Sequence, residues 1–432
     1  MADERASLAM DGGKPVREKS LPQEWPGAML MDDQEVEAVQ RVMRSRSLFR
    51  FYGPNPQNEA GQLEKEFAGY VGRKHALGVN SGTAALQVAL SALGCSFGSE
   101  VIMPGYFWIS VAAATVRCGA IPVLGDVDDT WGLDPEKLEE KITDRTKAII
   151  MVHMGGVIGR VKEVAAIAKK HGIGLLEDCA QAAGASQGGK KSGTFGDIAI
   201  YSFQLNKHMT TGEGGMVATD DDHLYARSFA AHDLGYVRSA SGRLGLEDAD
   251  TQSWGVGGRM NELVAAVGRV QLSKLDTIVG NMRSAKNRIK EALKEVKGLE
   301  FRRVIDPEGD GGSFLYVTFP TREVSLKFVK ALQAEGICGS EGGMYPVHMD
   351  DWGFHLYHHI PGLVNKVAVG DVSVWDLAEN GGSKGVSYEK GTCPYMDERA
   401  DRTMVMCVPS NLADGDVQDI ISGFKKVSAA LL

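Results

Sequence analysis

Three stretches of the sequence put reactive side chains where an apolar run gives way to a turn. In one, Tyr201-Ser202-Phe203-Gln204-Leu205-Asn206-Lys207 is followed by Gly212-Glu213-Gly214-Gly215. A lysine so placed forms a Schiff base with a carbonyl compound when its surroundings lower its pKa, although most single lysines are solvated surface groups. In another, Gly174–Leu176 leads into Glu177-Asp178, with Gln181 close behind. Ligands of open α/β sheets bind at the carboxyl ends of strands. An aspartate there holds a cationic ring nitrogen or a metal, or simply starts a helix. In the third, Asn80-Ser81-Gly82-Thr83 follows an apolar run and opens a helical pattern. Free N–H groups and the helix dipole make such a start an anion site; Gly82 lets a phosphate come close and Thr83 adds a hydroxyl. An ordinary helix cap uses the same residue types.

Each of these signals is ambiguous alone. Together, in this chain order, they supply the phosphate cradle, the ring-nitrogen partner and the imine lysine that pyridoxal 5′-phosphate (PLP) needs.

Such residues need a scaffold that brings strand ends together. Short apolar runs occur at Ala76–Val79, Val101–Met103, Pro122–Val127, Ala148–His153, Gly174–Glu177, Ile198–Phe203 and Met216–Thr219. Helical patterns at Thr83–Leu93, Pro135–Ile142 and Val161–His171 fall between them. This alternation predicts an α/β fold around a mostly parallel, buried sheet. The strands after Gly188 follow too closely for crossover helices, so some must pair antiparallel or lie at an edge. Residues 1–30 read as an extended arm. Asp32 and Glu35 then form a capping box, with Val36, Val39 and Met43 at helical spacing, and a second helix spans about Ala60–Val71.

Residues 233–258 read as a loop, and Met260–Leu275 and Met282–Val296 as two helices. Strand Phe314–Phe319, helix Val324–Gly336, strand Thr403–Val408 and a helix from Asp416 complete the pattern. The expected division is an arm (1–30), a large domain with a mostly parallel mixed sheet flanked by helices (31–275), and a smaller C-terminal α+β domain (276–432). The loop-rich, aromatic stretch 340–400 is long enough to be functional.

Composition excludes several classes. With 43% hydrophobic and 24% charged residues, the 432-residue chain is not a disordered one. Its 53 glycines are about 12% of the chain, against a usual ~7%, and they follow no period. Scattered glycine suits tight turns and close approach to a ligand. A net charge of −9 without a long basic run argues against nucleic-acid or anionic-membrane partners. Neither a signal peptide nor a membrane span is apparent. Six cysteines without a CxxC pair point to a reduced cytosol rather than a disulfide framework or zinc knuckle.

The succession SGT, EDCAQ, SFQLNK and GEGG resembles the DegT/DnrJ/EryC1/StrS family of sugar aminotransferases, PLP enzymes of fold type I. The likeness runs from GGKPV and LFRFYGP through EVIMPGYFW, GAIPVLGDVD and RTKAIIMVHMGG to RMNELVAAVGRVQL. It implies a homodimer that moves an amino group from Glu or Gln to a keto-sugar, a keto-cyclitol such as scyllo-inosose, or a sugar acid such as an 8-oxo octulosonate. By the same resemblance, Lys207 matches the imine lysine, Asp178 the partner of the pyridine nitrogen, and Gln181 the amide near the ring hydroxyl. Trp108 matches the aromatic stacked on the ring, and Gly82, Thr83 and Ser202 the phosphate contacts. The family's G-x-N-x-R-M segment, whose Asn reaches the neighbouring subunit's phosphate, here reads Gly255-Val256-Gly257-Gly258-Arg259-Met260. Gly257 therefore stands at the Asn position, while Arg259 is expected to serve the neighbour's site.

Two other readings compete. A PLP-dependent sugar 3-dehydratase of this fold has His at the imine position, where this chain has Lys207 with His208 merely adjacent. A non-catalytic regulatory or binding protein of the fold would not need the Lys207–Asp178 pair. His348, His355, His358 and His359 stand among Tyr345, Trp352, Phe354 and Tyr357. They suggest substrate contact or packing rather than a metal site, with His348 and Trp352 as acceptor-binding residues. His153, Cys179 and Phe107 read as buried packing residues, with a place on the site wall left open to His153.

Overall fold

The computed structural model describes residues 7–239, 241–245, 251–339, 345–381 and 385–432. Parts of the expected 233–258 loop and of the 340–400 stretch thus lie outside the described residues.

Seven strands form the central sheet: β1 (His75–Val79), β2 (Glu100–Pro104), β3 (Ile121–Gly125), β4 (Thr146–Val152), β5 (Gly174–Asp178), β6 (Ile198–Ser202) and β7 (Gly215–Thr219). Their spatial order is β1-β7-β6-β5-β4-β2-β3. Strands β3, β2, β4, β5 and β6 pair in parallel, whereas β7 runs antiparallel between β6 and β1. The short β6–β7 connection explains the reversal, because a parallel crossover needs a dozen or more residues. Strands β2 and β6 are buried along their whole length, as a sheet covered on both faces requires. All six co-directional strands end at one edge, so the residues that follow them are brought together there.

A second, antiparallel sheet has the order β8 (Glu300–Phe301), β9 (Phe314–Thr318), β11 (Thr403–Cys407), β10 (Val347–His348). Helix Arg322–Ala334 packs on its strands, and helix Asp414–Leu431 packs against that helix.

One 32-residue helix, Glu262–Leu293, replaces the two helices expected around 260–296, and position 275 falls inside it. Gly280 is the weak point, at about 1 kcal/mol relative to Ala. Buried Ile278, Val279 and Met282 continue the apolar face past it and outweigh that cost. The helix packs against Asp33–Ser45, Glu59–Val71 and Asp414–Leu431. Its first residue, buried Glu262, accepts from the N–H groups of Glu59 (2.7 Å) and Ala60 (3.0 Å). It thereby caps a helix whose own N-cap, Asn58, makes no side-chain bond.

Helix Asp33–Ser45 carries the expected capping box at Asp32 and Glu35. It buries Ala38 and Val42 against the rest of the chain, while Val36 and Met43 face outward, each 53% exposed. No helix among the described residues is long and apolar enough to cross a membrane.

Candidate active site

A cavity of about 440 Å³ lies at the carboxyl edge of the central sheet. Gly82, Thr83, Trp108, Asp178, Gln181, Ser202, Lys207 and Trp352 all line it. His348 and Arg259 do not.

At one end is the start of helix Gly82–Ala92. Ser81 caps it by accepting from the Ala84 N–H (3.1 Å), and the Thr83 hydroxyl donates to Ser110 Oγ (2.9 Å). The first N–H groups of a helix have no intrahelical acceptor and face outward with the positive end of the dipole. Ser202, the last residue of β6, stands so close that a Cβ on Gly82 would lie 2.7 Å from Ser202 Cβ and 2.9 Å from its Oγ. The glycine is therefore required for this approach, and the two segments form a cradle of the size and polarity that suits a phosphate.

At the floor, Asp178 ends β5. It is 5% exposed and accepts one bond, from the Ala180 N–H to Oδ1 (2.9 Å). Burial raises its pKa, against the pull of that bond and of the Lys207 and His153 charges. A second cation facing the carboxyl, such as a protonated ring nitrogen, would offset the burial. Gln181 accepts from the Gly155 N–H through Oε1 (2.9 Å), which leaves its amide NH₂ for another partner.

Lys207 sits in a loop that ties itself down. Its N–H donates to Gln204 O (3.0 Å), Asn206 N–H to Gln204 Oε1 (2.9 Å), and the Thr210 hydroxyl to Phe203 O (3.0 Å). Gly212 turns the chain back with φ +80°. The arm crosses this loop, with Gly27 N–H donating to Lys207 O (3.3 Å), and Pro26 joins the cavity wall. Burial lowers the Lys207 pKa, while Asp178 and Glu213 hold it up.

His153, just past β4, also lines the cavity. Its Nε2 donates to Glu177 Oε2 (2.9 Å), while its buried Nδ1 has no partner among the described residues. It is both packed and part of the wall. Glu177 also accepts from the N–H groups of Gly193, Phe195 and Gly196, so its carboxylate is fully engaged beside buried Cys179.

Ser313 and Phe314, at the start of β9, and Trp352 and His355, beyond β10, close the cavity. The strap carrying the last two zips onto the loop after β2. Phe107 N–H donates to His355 O (3.0 Å), Tyr357 N–H to Gly105 O (3.1 Å), and Tyr106 bridges Leu356. Trp108, on that loop, then lies 4.9 Å from the His355 ring.

The expectation for His348 fails. The residue is fully buried at the edge of the second sheet, where Nε2 donates to Asp401 O (3.2 Å) and Nδ1 accepts from the Asp350 N–H (3.2 Å). Both ring nitrogens are spent, so none remains for a substrate. Arg259 pairs with buried Asp233, which Arg238 also holds at 2.5 Å. Gly257 has φ +64°, a conformation that Gly and Asn both tolerate, and a Cβ there would meet nothing within 4 Å. Sequence reading missed Ser110 and Ser313, and it named His355 only within the histidine group given to substrate contact or packing. Ser110 lies two residues from Trp108 and could have been found that way, whereas Ser313 is far away in sequence and carried no local signal.

A lysine and a buried carboxylate facing a helix-start anion cradle, at the edge of a mostly parallel sheet, define a fold-type I PLP-dependent transferase. Residues 30–352 match the DegT/DnrJ/EryC1/StrS aminotransferase family, and the chain belongs to it. It is 34% identical over 356 residues to a putative L-glutamine:3-amino-2,3-dideoxy-scyllo-inosose aminotransferase of Micromonospora echinospora, covering 81% of this chain and 82% of that one. It is 31% identical to the spore coat polysaccharide biosynthesis protein SpsC of Bacillus subtilis, over 95% of this chain and 98% of the relative. Its fold is similar to that of an aminotransferase from Psychrobacter cryohalolentis, with a TM-score of 0.78 at 27% identity, covering 96% and 100% of the two chains. The protein is an aminotransferase, and its cofactor is PLP.

Proposed function

We propose that this enzyme moves the amino group of L-glutamate or L-glutamine to the carbonyl of a polyhydroxy keto-sugar or keto-cyclitol. The convergence of Asp178, Lys207 and the Gly82 helix start on one cavity carries this reading. The L-glutamine named for the Micromonospora relative supports the donor class.

When bound, PLP supplies a carbonyl that exchanges amino groups and a ring that draws electrons from the reacting carbon. The free N–H groups at Gly82 and Thr83 would hold its phosphate, with the Ser202 hydroxyl beside them. Asp178 holds the protonated ring nitrogen, and the free amide of Gln181 is available to the ring hydroxyl. Trp108, on the cavity wall, would offer its indole face to the ring. Lys207 anchors the cofactor between turnovers. The Lys207 Nζ would also be placed to take a proton from the reacting carbon and return it, a role its lowered pKa favours. Trp352 belongs to the wall that meets the acceptor.

The enzyme acts as a homodimer in this reading. Trp254, 93% exposed in the segment before Arg259, and the outward Val36–Met43 stripe of helix Asp33–Ser45 supply apolar surface for a second copy.

The test is to load the purified protein with PLP and add L-glutamate and L-glutamine separately, following the cofactor's visible absorbance. Conversion to the amine form is expected with at least one of them, and borohydride reduction of the resting enzyme should label Lys207. No conversion with any amino donor, or a label on another lysine, overturns the reading.

A further inference from the structure

We infer that His355 selects the acceptor, taking a hydrogen bond through Nε2 from a hydroxyl of an uncharged polyhydroxy ketone. This rests on the aminotransferase reading above.

The geometry settles which nitrogen can do this. His355 Nδ1 lies 2.5 Å from the carbonyl oxygen of Trp352. A carbonyl only accepts, so Nδ1 carries the proton. The ring is 7% exposed, and burial pushes its pKa down to about 4, with the nearby Lys207 charge acting in the same direction. At neutral pH the imidazole is uncharged, and Nε2 presents a lone pair. No described residue donates to it, although the residue lines the cavity.

The ring is also held still. It lies between Trp108 (4.9 Å) and Trp352 (4.6 Å), and its backbone is tied to Phe107. A fixed acceptor of this kind has no attraction for a carboxylate or phosphate, which are themselves acceptors. It suits a hydroxyl. The rest of the wall agrees, because Lys207 is the one lysine or arginine among the described lining residues, against Asp178 and Glu213. A diphosphate-linked sugar would find little countercharge on this chain.

The experiment separates the half-reactions. Apoprotein is loaded with pyridoxamine 5′-phosphate and mixed with scyllo-inosose or 2-deoxy-scyllo-inosose. The PLP form is mixed with L-glutamate or L-glutamine. H355F keeps an aromatic ring but removes the acceptor; H355Q restores an oxygen acceptor. H355F should lower kcat/KM of the ketone half-reaction about 10- to 100-fold, the effect of deleting a buried hydrogen-bond partner. H355Q should recover most of that loss. Both variants should keep the donor half-reaction within about twofold and a melting temperature close to wild type. In histidine-labelled apoprotein at pH 7, the Nε2 of His355 should resonate as an unprotonated nitrogen.

Near-normal ketone kinetics in H355F, equal loss of both half-reactions, or a protonated Nε2 would each overturn the inference. So would failure of the wild-type amine form to react with either ketone. Failure of the donor half-reaction alone counts against the aminotransferase reading instead, because the amine form is loaded directly.

Discussion

Replacing Gly82 by Ala tests the anion cradle with a single methyl group. The added Cβ would lie 2.7 Å from Ser202 Cβ and 2.9 Å from Ser202 Oγ, where ordinary contact needs about a further ångström. Two effects oppose each other. Alanine is favoured over glycine in a helix by up to about 1 kcal/mol. Forcing a methyl into a packed contact costs about 1–3 kcal/mol. Strand β6 is buried along its length and cannot yield, so the helix start has to shift away from Ser202. The expected net loss is about 1–2 kcal/mol, together with a widened cradle and PLP binding weaker by about 10-fold or more. Melting of the apoprotein and titration with PLP measure the two effects. Because the nearest clash is with a Cβ, G82A/S202A should stay impaired, whereas G82A/S202G should regain stability without the Ser202 hydroxyl. Wild-type stability and PLP affinity in G82A would refute the close-packed cradle.

Other outcomes follow from the same geometry. D178N should retain PLP but lose turnover by orders of magnitude, because the charge-assisted bond to the ring nitrogen, about 1.5–3 kcal/mol, is only part of what the carboxylate supplies; near-normal turnover would remove Asp178 from that role. Burial lowers the folded-state pKa of both His208 and His355 to about 4, below the ordinary value near 6.5. The unfolded chain thus binds more protons between those values, so the stability from these neutral rings is complete above about pH 6.5 and fades as pH falls toward 4. The loss is on the order of 3 kcal/mol per ring. Denaturant unfolding across that window should show H355Q losing its share of the slope, and an unchanged slope would contradict the assignment. H348A should lower the melting temperature while both half-reactions keep their KM; a KM rise confined to the ketone would restore it to the acceptor site. Finally, K207A and R259A, each inactive, should regain activity when mixed if Arg259 serves the neighbour's site, and a fully active monomer would rule out sharing.

What was legible in the sequence was whatever is local. Apolar runs at strand length marked all seven strands of the central sheet, and the close spacing after Gly188 gave the antiparallel β7. Helix Val161–His171 has the expected limits, and Asp32 and Glu35 form the expected box. Lys207, Asp178 and Gly82 could be singled out because each lies at, or within five residues of, the end of its own strand. The remainder depends on contacts between distant segments. His348 and His355 look alike in sequence, seven residues apart on the same aromatic stretch. Only the pairing of Val347–His348 with β11, and of the later strap with Gly105–Phe107, sends one into packing and the other to the cavity. Periodicity likewise shows that Val36 and Met43 share a helical stripe, but not which way the stripe faces. The continuity of helix Glu262–Leu293 was hidden by Gly280, whose local penalty is overcome by burial on either side.

The strap that zips onto Gly105–Phe107 has a consequence for the order in which the enzyme comes into being. The phosphate grip, the Asp178 floor and the Lys207 loop all lie between residues 80 and 213, whereas the wall bearing Trp352 and His355 is translated well over a hundred residues later. On the ribosome, the early part of the chain can build a cofactor grip while the roof above it does not yet exist, leaving the loop at Trp108 without its brace. Ring closure between positions about 250 residues apart is slow to find and entropically costly, so the roof should be among the last parts to settle. A nascent chain stalled before residue 345 would hold the cofactor's phosphate end yet leave its reactive face open to water, and only the final stretch of synthesis turns a binding site into a closed reaction chamber.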